Sequence, residues 1–175
     1  MRLDVNGFAA DAATLTGADP VADYPRLAAE LAGPAADVQV IWEARGEERP
    51  GAAGAAVAWM HLSADALAPL VCQRCLTTVV IPLSVDRWFR FVADEATAEA
   101  EDDESDEDLL VSARDFDLNG LIEDELLMEI PLTPVHDTCP VDVQLSAVDA
   151  DFESPEGGKP NPFAVLGALR TRKPE

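Results

Sequence analysis

The sequence predicts one α+β domain, in which a curved antiparallel sheet is covered by a central helix and an acidic flexible loop connects the two. Alternating or β-branched residues with tight returns fill residues 37–93, as in VQVIWEAR and AVAWMHL, and such runs predict antiparallel strands. Apolar residues at helical spacing follow in DLNGLIEDELLMEI, which predicts the helix. Between these stretches, residues 94–108 hold ten acidic and no basic residues, a composition typical of a mobile loop.

The length of 175 residues suits a single domain. Near the C-terminus, Phe163, Leu166 and Leu169 share one face of a short turn or helix, so we expect this tail to dock on the core. The predicted segments are an N-terminal helical or irregular part at 1–36, a strand-rich core at 37–93, the acidic loop at 94–108, the covering helix with its tip at 109–140, and a C-terminal loop with a docked tail at 141–175.

The central helix has clear start and stop signals. The carboxylate of Asp117 is placed to cap its first turn. Pro131 ends the helix and pushes Ile130 toward an extended conformation. The chain then presents His136 and Cys139, two metal-ligand types three residues apart. We therefore expect the helix to cover the sheet and to deliver this polar tip to the turn that holds the other two cysteines.

The charge of the chain restricts its partners. Acidic residues number 34 against 12 basic ones, which gives a net charge of −22. This balance disfavours broad contact with a nucleic-acid backbone and favours encounter with basic proteins. No apolar run approaches the ~18 residues of a membrane span, and MRLDVNGF lacks the pattern of a signal peptide. We expect a cytoplasmic protein that does not contact a membrane.

Two cysteine-containing motifs, far apart in the chain, form a candidate metal site. Cys72 and Cys75 in VCQRC resemble half of a zinc knuckle, and His136 and Cys139 supply two more ligand types. Plain burial of the cysteines and a thioredoxin-like redox motif are the alternatives, although the latter needs a helix start where this sequence predicts strands. Because the second half is H-x-x-C, and Leu76 stands where a tight knuckle prefers glycine, we expect the four-ligand site to be incomplete.

Glu125 is a second candidate functional residue. It falls on the apolar side of the predicted helix, so its carboxylate needs a basic partner, for which Arg74 and Arg87 are candidates. Glu125 and Glu129 at i, i+4 spacing also allow an acid–base pair. No phosphate loop, nucleophile elbow or HExxH motif accompanies them. We therefore assign no catalytic residue, and a small-molecule substrate is not expected.

Taken together, VCQRCL, DLNGLIEDELLMEIPLTPVHDTCP and PNPFAVLGALR resemble the YceD family of large ribosomal RNA subunit accumulation proteins, found in bacteria and plastids. The resemblance covers about residues 37–171 in the same order, and the first 36 residues match less clearly. Some members carry a fuller second cysteine cluster after the helix, where this chain has His136 and Cys139. The resemblance supplies no catalytic residue.

The resemblance implies a non-enzymatic ribosome biogenesis factor that supports synthesis, processing or stability of 23S rRNA. Genes of the family often adjoin that of a small zinc-ribbon protein of the large subunit. With the acidic charge, this implies a basic ribosomal protein or assembly factor as partner and an indirect link to the RNA. Two alternatives stay open: an RNA-processing enzyme that uses Glu125 and the cysteine site, and a zinc-dependent scaffold without a ribosomal role.

Overall fold

The computed structural model of the chain describes residues 1–33, 37–51, 54–143, 147 and 163. The chain divides into two compact units, Met1–Asp142 and Val143–Glu175. Every helix and strand of the described residues belongs to the first unit. Most of the expected C-terminal loop and docked tail, including Leu166 and Leu169, lies outside the described residues.

The first unit contains four α-helices and seven β-strands among its described residues. In chain order they are β1 (Arg2–Leu3), α1 (Val5–Ala10), β2 (Thr14–Pro20), α2 (Pro25–Glu30), β3 (Gln39–Pro50), β4 (Ala56–Val71), β5 (Thr78–Val92), α3 (Glu95–Glu101), β6 (Asp108–Val111), β7 (Phe116–Asp117) and α4 (Leu118–Met128). None of these helices is long and apolar enough to span a membrane.

Five strands form one open sheet in the order β2-β3-β4-β5-β6, and β1 pairs with β7 in a separate two-stranded ribbon. The α+β class that the sequence predicts is therefore confirmed. The sheet is mixed, however, and not wholly antiparallel, because β6 runs parallel to β5. Parallel neighbours need a crossover connection, and the segment 93–107 between the two strands supplies it.

Three long strands, β3, β4 and β5, make up most of the strand-rich core that the sequence predicts. In β4, Ala64, Ala66 and Ala68 are buried and alternate with exposed or half-buried positions. Alanine is small and weakly hydrophobic. A sequence pattern based on larger apolar side chains therefore does not reveal this period of two. The continuous strand pairs with β5 from Trp59 opposite Arg90 to Val71 opposite Thr78.

The N-terminal segment contributes two strands as well as the helices that the sequence predicts. Its helix α2 begins at Pro25 and has no side-chain cap from its own segment. The carboxylate of Glu123 on α4 takes that role, because it accepts hydrogen bonds from the backbone N–H groups of Arg26 (2.7 Å) and Leu27 (3.2 Å). A helix N-terminus is thus satisfied by a neighbouring helix.

The acidic segment is folded where the sequence predicts a flexible loop. Glu95–Glu101 form α3, and the Asp94 side chain accepts a hydrogen bond from the Thr97 backbone N–H. Alanines between the glutamates favour a helix, and Arg90 pairs with Glu101 at 2.6 Å and with Glu107 at 2.8 Å. These ion pairs offset part of the repulsion within the segment.

The covering helix α4 occurs as predicted. Asp117 caps it by accepting the Gly120 backbone N–H at 3.2 Å, and α4 ends at Met128, before Pro131. Leu118, Ile122 and Leu126 are fully buried in the core between α4 and the sheet. This helix therefore fixes where the segment after Pro131 leaves the core.

Arg87 on β5 links the sheet to α4 and to β6. Its guanidinium lies 3.3 Å from the Glu125 carboxylate, 3.9 Å from Glu129 and 3.2 Å from Asp108. Glu125 is only 5% exposed, and a buried carboxylate is tolerated only when it is paired or hydrogen-bonded. One arginine therefore contacts three carboxylates, from β6, from α4 and from the residue that follows α4.

Replacing Arg87 by Met would leave Glu125 buried without its cation. We expect the free energy of unfolding to fall by about 2 kcal/mol, less than for a fully buried pair, since the Arg87 side chain is 41% exposed. Urea denaturation measures this change. Adding Glu125→Leu should restore most of the loss, because the unpaired charge is removed. The exposed Arg114→Met serves as control; equal effects of Arg87→Met and Arg114→Met would contradict the assignment.

Candidate metal centre

The turn between β4 and β5, residues 72–77, is a tight knuckle that carries the first two cysteines. Backbone hydrogen bonds close it, from Cys72 N–H to the Thr77 carbonyl and from Leu76 N–H to the Cys72 carbonyl, each at 2.9 Å. Leu76 has a φ of 60°, in the left-handed region that costs a residue with a side chain roughly 1–2 kcal/mol. The knuckle thus adopts the geometry that glycine would favour, with leucine in its place.

The segment after α4, residues 131–140, runs across this knuckle and will be called the strap. The Gln73 backbone N–H donates to the Pro134 carbonyl at 2.8 Å. The Arg74 guanidinium donates to the His136 carbonyl. Because both bonds link the knuckle to the strap, His136 and Cys139 are held over Cys72 and Cys75.

The structure brings all four predicted ligands together. The ligand atoms of Cys72, Cys75, His136 and Cys139 lie within 4.8 Å of one another, and Cys75 Sγ is 3.4 Å from His136 Nδ1. Cys72 is buried, and the two other cysteines are half-buried. The sequence predicts an incomplete set, whereas the structure contains a Cys3His cluster that could bind a metal.

The orientation of His136 is fixed by its second ring nitrogen. Nε2 lies 3.1 Å from the Thr78 carbonyl oxygen. A carbonyl only accepts, so Nε2 carries the proton, and in the neutral ring Nδ1 keeps its lone pair. A histidine that donates from one nitrogen to a backbone carbonyl is the usual arrangement behind a metal ligand. Nδ1 of His136 therefore faces the thiols. It is a donor in the charged ring, and it would become a ligand when metal binding releases that proton.

The surroundings of Cys72 favour its thiolate. Burial is the largest single influence and raises the pKa, but backbone hydrogen bonds from Cys75, His136 and Arg74 together with the His136 ring lower the pKa of Cys72 to about 5. The knuckle therefore presents a metal-binding thiolate at neutral pH, since the thiolate is the form of cysteine that binds metals.

Local contacts and burial also shift the pKa values of the other three members of the cluster. The Thr77 hydroxyl, 3.1 Å from Cys75 Sγ, is the main cause of the lowered pKa of Cys75. Burial raises the pKa of Cys139 to about 11, and the hydrogen bond with Cys72 raises that of His136. The sequence analysis does not identify Thr77. Its position two residues after the C-x-x-C motif is the only feature of the sequence that indicates it.

Three thiols and one imidazole are the donor set of structural zinc sites. Zn–S bonds of about 2.3 Å and Zn–N bonds of about 2.0 Å place tetrahedral ligand atoms roughly 4 Å or less apart. A cluster spanning 4.8 Å needs only a small contraction to reach that spacing. No helix begins at Cys72, which lies in a strand-to-strand turn, so the arrangement lacks the helix dipole of thioredoxin-like sites.

The two remaining candidate functional residues, Glu125 and Arg74, do not pair with each other. Arg87 is the partner of Glu125, whereas Arg74 binds the strap carbonyl of His136. Glu125 and Glu129 both face Arg87. Both carboxylates of the suggested acid–base pair therefore contact the same arginine of the sheet.

The fold and the site together define the class of this protein. It is a small two-layer α+β protein with a cysteine knuckle, which a histidine and a cysteine from the strap close. This cluster is a candidate structural metal centre. The family described as "Large ribosomal RNA subunit accumulation protein YceD" matches residues 60–170, more than half of the chain. The chain belongs to the YceD family. The matched range contains both halves of the Cys3His cluster.

Among curated proteins, the chain is similar to the large ribosomal RNA subunit accumulation protein YceD of Haemophilus influenzae. The two are 40% identical over 60 residues, which is 33% of this chain and 34% of the relative. The match thus spans about a third of the relative's length. No solved structure matches the chain.

The pH dependence of the free energy of unfolding tests the environment of Glu125. Burial raises the pKa of Glu125, and Arg87 offsets this only in part. A carboxyl with a raised folded-state pKa contributes stability below its unfolded pKa and loses that contribution as pH rises through the folded value. We expect wild type to gain stability relative to Glu125→Gln as pH falls from about 7 to about 5.

Urea denaturation at each pH measures this difference in the free energy of unfolding. The control is Glu30→Gln, since Glu30 is an exposed carboxylate on α2. A difference between wild type and Glu125→Gln that stays constant or shrinks on acidification would contradict the raised pKa.

Proposed function

We propose that the chain is a non-enzymatic factor in biogenesis of the large ribosomal subunit. In this proposal it supports synthesis, processing or stability of 23S rRNA in the cytoplasm, through a basic ribosomal protein or assembly factor. Membership of the YceD family carries the proposal, and the name of the similar Haemophilus influenzae protein agrees with it.

The charge of the chain supports the indirect route to RNA. A net charge of −22 repels the phosphate backbone. All eight basic residues in the described ranges are arginines, and five of them form ion pairs with carboxylates of the same chain. These five are Arg2, Arg26, Arg49, Arg87 and Arg90. Within the described ranges, few cations are thus left to bind phosphate.

The surroundings of Glu125 support a role without catalysis. Its carboxylate is 5% exposed and faces Arg87. A general acid or base must come within hydrogen-bonding distance of the substrate. A carboxylate in this position instead anchors α4 to the sheet.

The Cys3His cluster has a structural role in this proposal, with zinc as its metal. Cys72, Cys75, Cys139 and His136 Nδ1 would hold the ion, which would supply a tetrahedral cross-link between the knuckle and the strap. Binding free energy at such a site becomes folding free energy. Zinc would therefore fix the exit of α4 over the end of the β4–β5 hairpin.

Protein purified without chelator should contain about one zinc per chain, as elemental analysis would measure. Cys75→Ser should abolish the zinc and destabilise the fold by more than the roughly 1–3 kcal/mol expected for a buried hydroxyl. Thr77→Val is the matched control: it removes the hydroxyl beside Cys75 Sγ but no ligand. Wild-type protein without zinc, and with a small cost for Cys75→Ser, would contradict the metal assignment.

The ribosomal role is tested by isolating the tagged chain from growing cells and identifying the bound proteins and RNA. We expect a basic large-subunit protein or assembly factor that dissociates as salt rises, and 23S rRNA that is lost together with it. Purified chain should bind naked 23S rRNA weakly at physiological salt. Tight and specific binding to the naked RNA would contradict the indirect route.

A further inference from the structure

On the outer face of the main sheet, opposite α4, several large apolar residues of the described strands are exposed. Ile41, Leu67 and Val80 point outward from β3, β4 and β5 with 60%, 63% and 58% of their surfaces exposed. They alternate along the strands with buried core positions. The sheet therefore has one packed face and one face that solvent reaches.

Farther along this face, two of the three tryptophans form a cluster with an arginine. The rings of Trp59 and Trp88 lie 6.4 Å apart, inclined at 69°. The Arg49 guanidinium lies 4.3 Å from the Trp59 ring and 4.0 Å from the Trp88 ring. These distances are those of cation–π contacts. The tryptophan–arginine cluster, Arg49 with Trp59 and Trp88, thus already accommodates one guanidinium.

Carboxylates surround this cluster. A groove of about 510 Å³ is lined by the cluster, by Asp86 and by the acidic residues that precede and begin β6. The Asp86 side chain is 78% exposed, and Asp106 is exposed as well. Aromatic faces beside exposed carboxylates complement the two properties of a lysine or arginine side chain, its charge and its apolar stem.

The cations of the groove do not reverse this charge. Arg49 is paired with Glu47 at 3.0 Å, and Arg87 with Asp108 and Glu125. Four carboxylates line the groove, against these two guanidiniums. Asp108 pairs with Arg87, Glu107 with Arg90 at 2.8 Å and Asp86 with the His61 ring at 2.7 Å. The exposed Asp106 and the 78% exposed side chain of Asp86 are therefore the carboxylates that a partner's cation can reach. A phosphate backbone would therefore be repelled, whereas a basic peptide would be attracted.

We propose that this groove is the docking site for a lysine- and arginine-rich segment of a protein partner. The inference rests on the proposed function and adds the surface through which the basic partner is recognised. A basic side chain of the partner lies against the rings of Trp59 and Trp88, and its charge pairs with Asp86 or Asp106. The aromatic contact supplies binding energy, and the carboxylates supply the preference for cations.

The test measures binding of an oligoarginine peptide to the full chain at low salt, by isothermal titration calorimetry. The variant is Asp86→Asn with Asp106→Asn. The control, Asp11→Asn with Asp23→Asn, removes the same charge from exposed residues that do not line the groove. We expect the groove variant to weaken binding about tenfold and the control less than about twofold.

A second pair of variants tests the aromatic contact. Trp88→Ala should weaken peptide binding about fivefold, and Trp88→Phe should retain most of it, because the ring face is kept. Thermal melting of each variant checks that the fold is intact. If Trp88→Ala unfolds the protein, the peptide affinities of Trp88→Phe and of the two carboxylate variants still decide the proposal.

Equal affinity of the groove variant and its control for oligoarginine would overturn the proposal. Tighter binding of oligouridine than of oligoarginine at the same salt would also overturn it, because the face would then be an RNA site. Failure here is distinguishable from failure of the proposed function. A groove variant that still isolates the large-subunit partner from cells refutes only the groove, whereas wild type that isolates no such partner refutes the function.

Discussion

The pairing of β4 with β5 is the interaction on which the other parts of the structure depend. It is continuous from Trp59 opposite Arg90 to Val71 opposite Thr78. One end of this hairpin closes in the knuckle with Cys72 and Cys75, and the other end displays the outward tryptophans. A slip of one residue would move every inward side chain to the opposite face. The register of this one hairpin therefore sets the core, the cysteine cluster and the outer groove at once.

A second constraint is electrostatic, because a chain of charge −22 must fold against its own repulsion. Arginines reduce the repulsion by contacting carboxylates from several elements. Arg87 joins β5 to β6 and α4, Arg26 joins α2 to α4, and Arg90 joins β5 to the acidic segment. The planar guanidinium has five donors and can contact several carboxylates, which a lysine ammonium does less well. These arginines thus link strands and helices of the fold through ion pairs.

The candidate metal centre and the outer groove lie at different ends of the same hairpin. The cluster of Cys72, Cys75, His136 and Cys139 brings the strap and the β4–β5 turn together, and its donor set is that of structural zinc sites. The groove presents aromatic rings and carboxylates to solvent. Under the two proposals, one end of the hairpin would serve stability and the other end recognition.

The sequence alone determined the α+β class, the central helix with its Asp117 cap and the four candidate ligands, because local periodicity and residue chemistry carry that information. Tertiary structure decided whether the ligands meet, since two of them come from a turn about sixty residues before the other two. It also selected Arg87 over Arg74 as the partner of Glu125, and it made α2 depend on Glu123 for its cap. The acidic segment folds because Arg90 and the parallel strand β6 lie beside it. Such contacts depend on strand register and on the direction of side chains, which no local pattern in the sequence specifies.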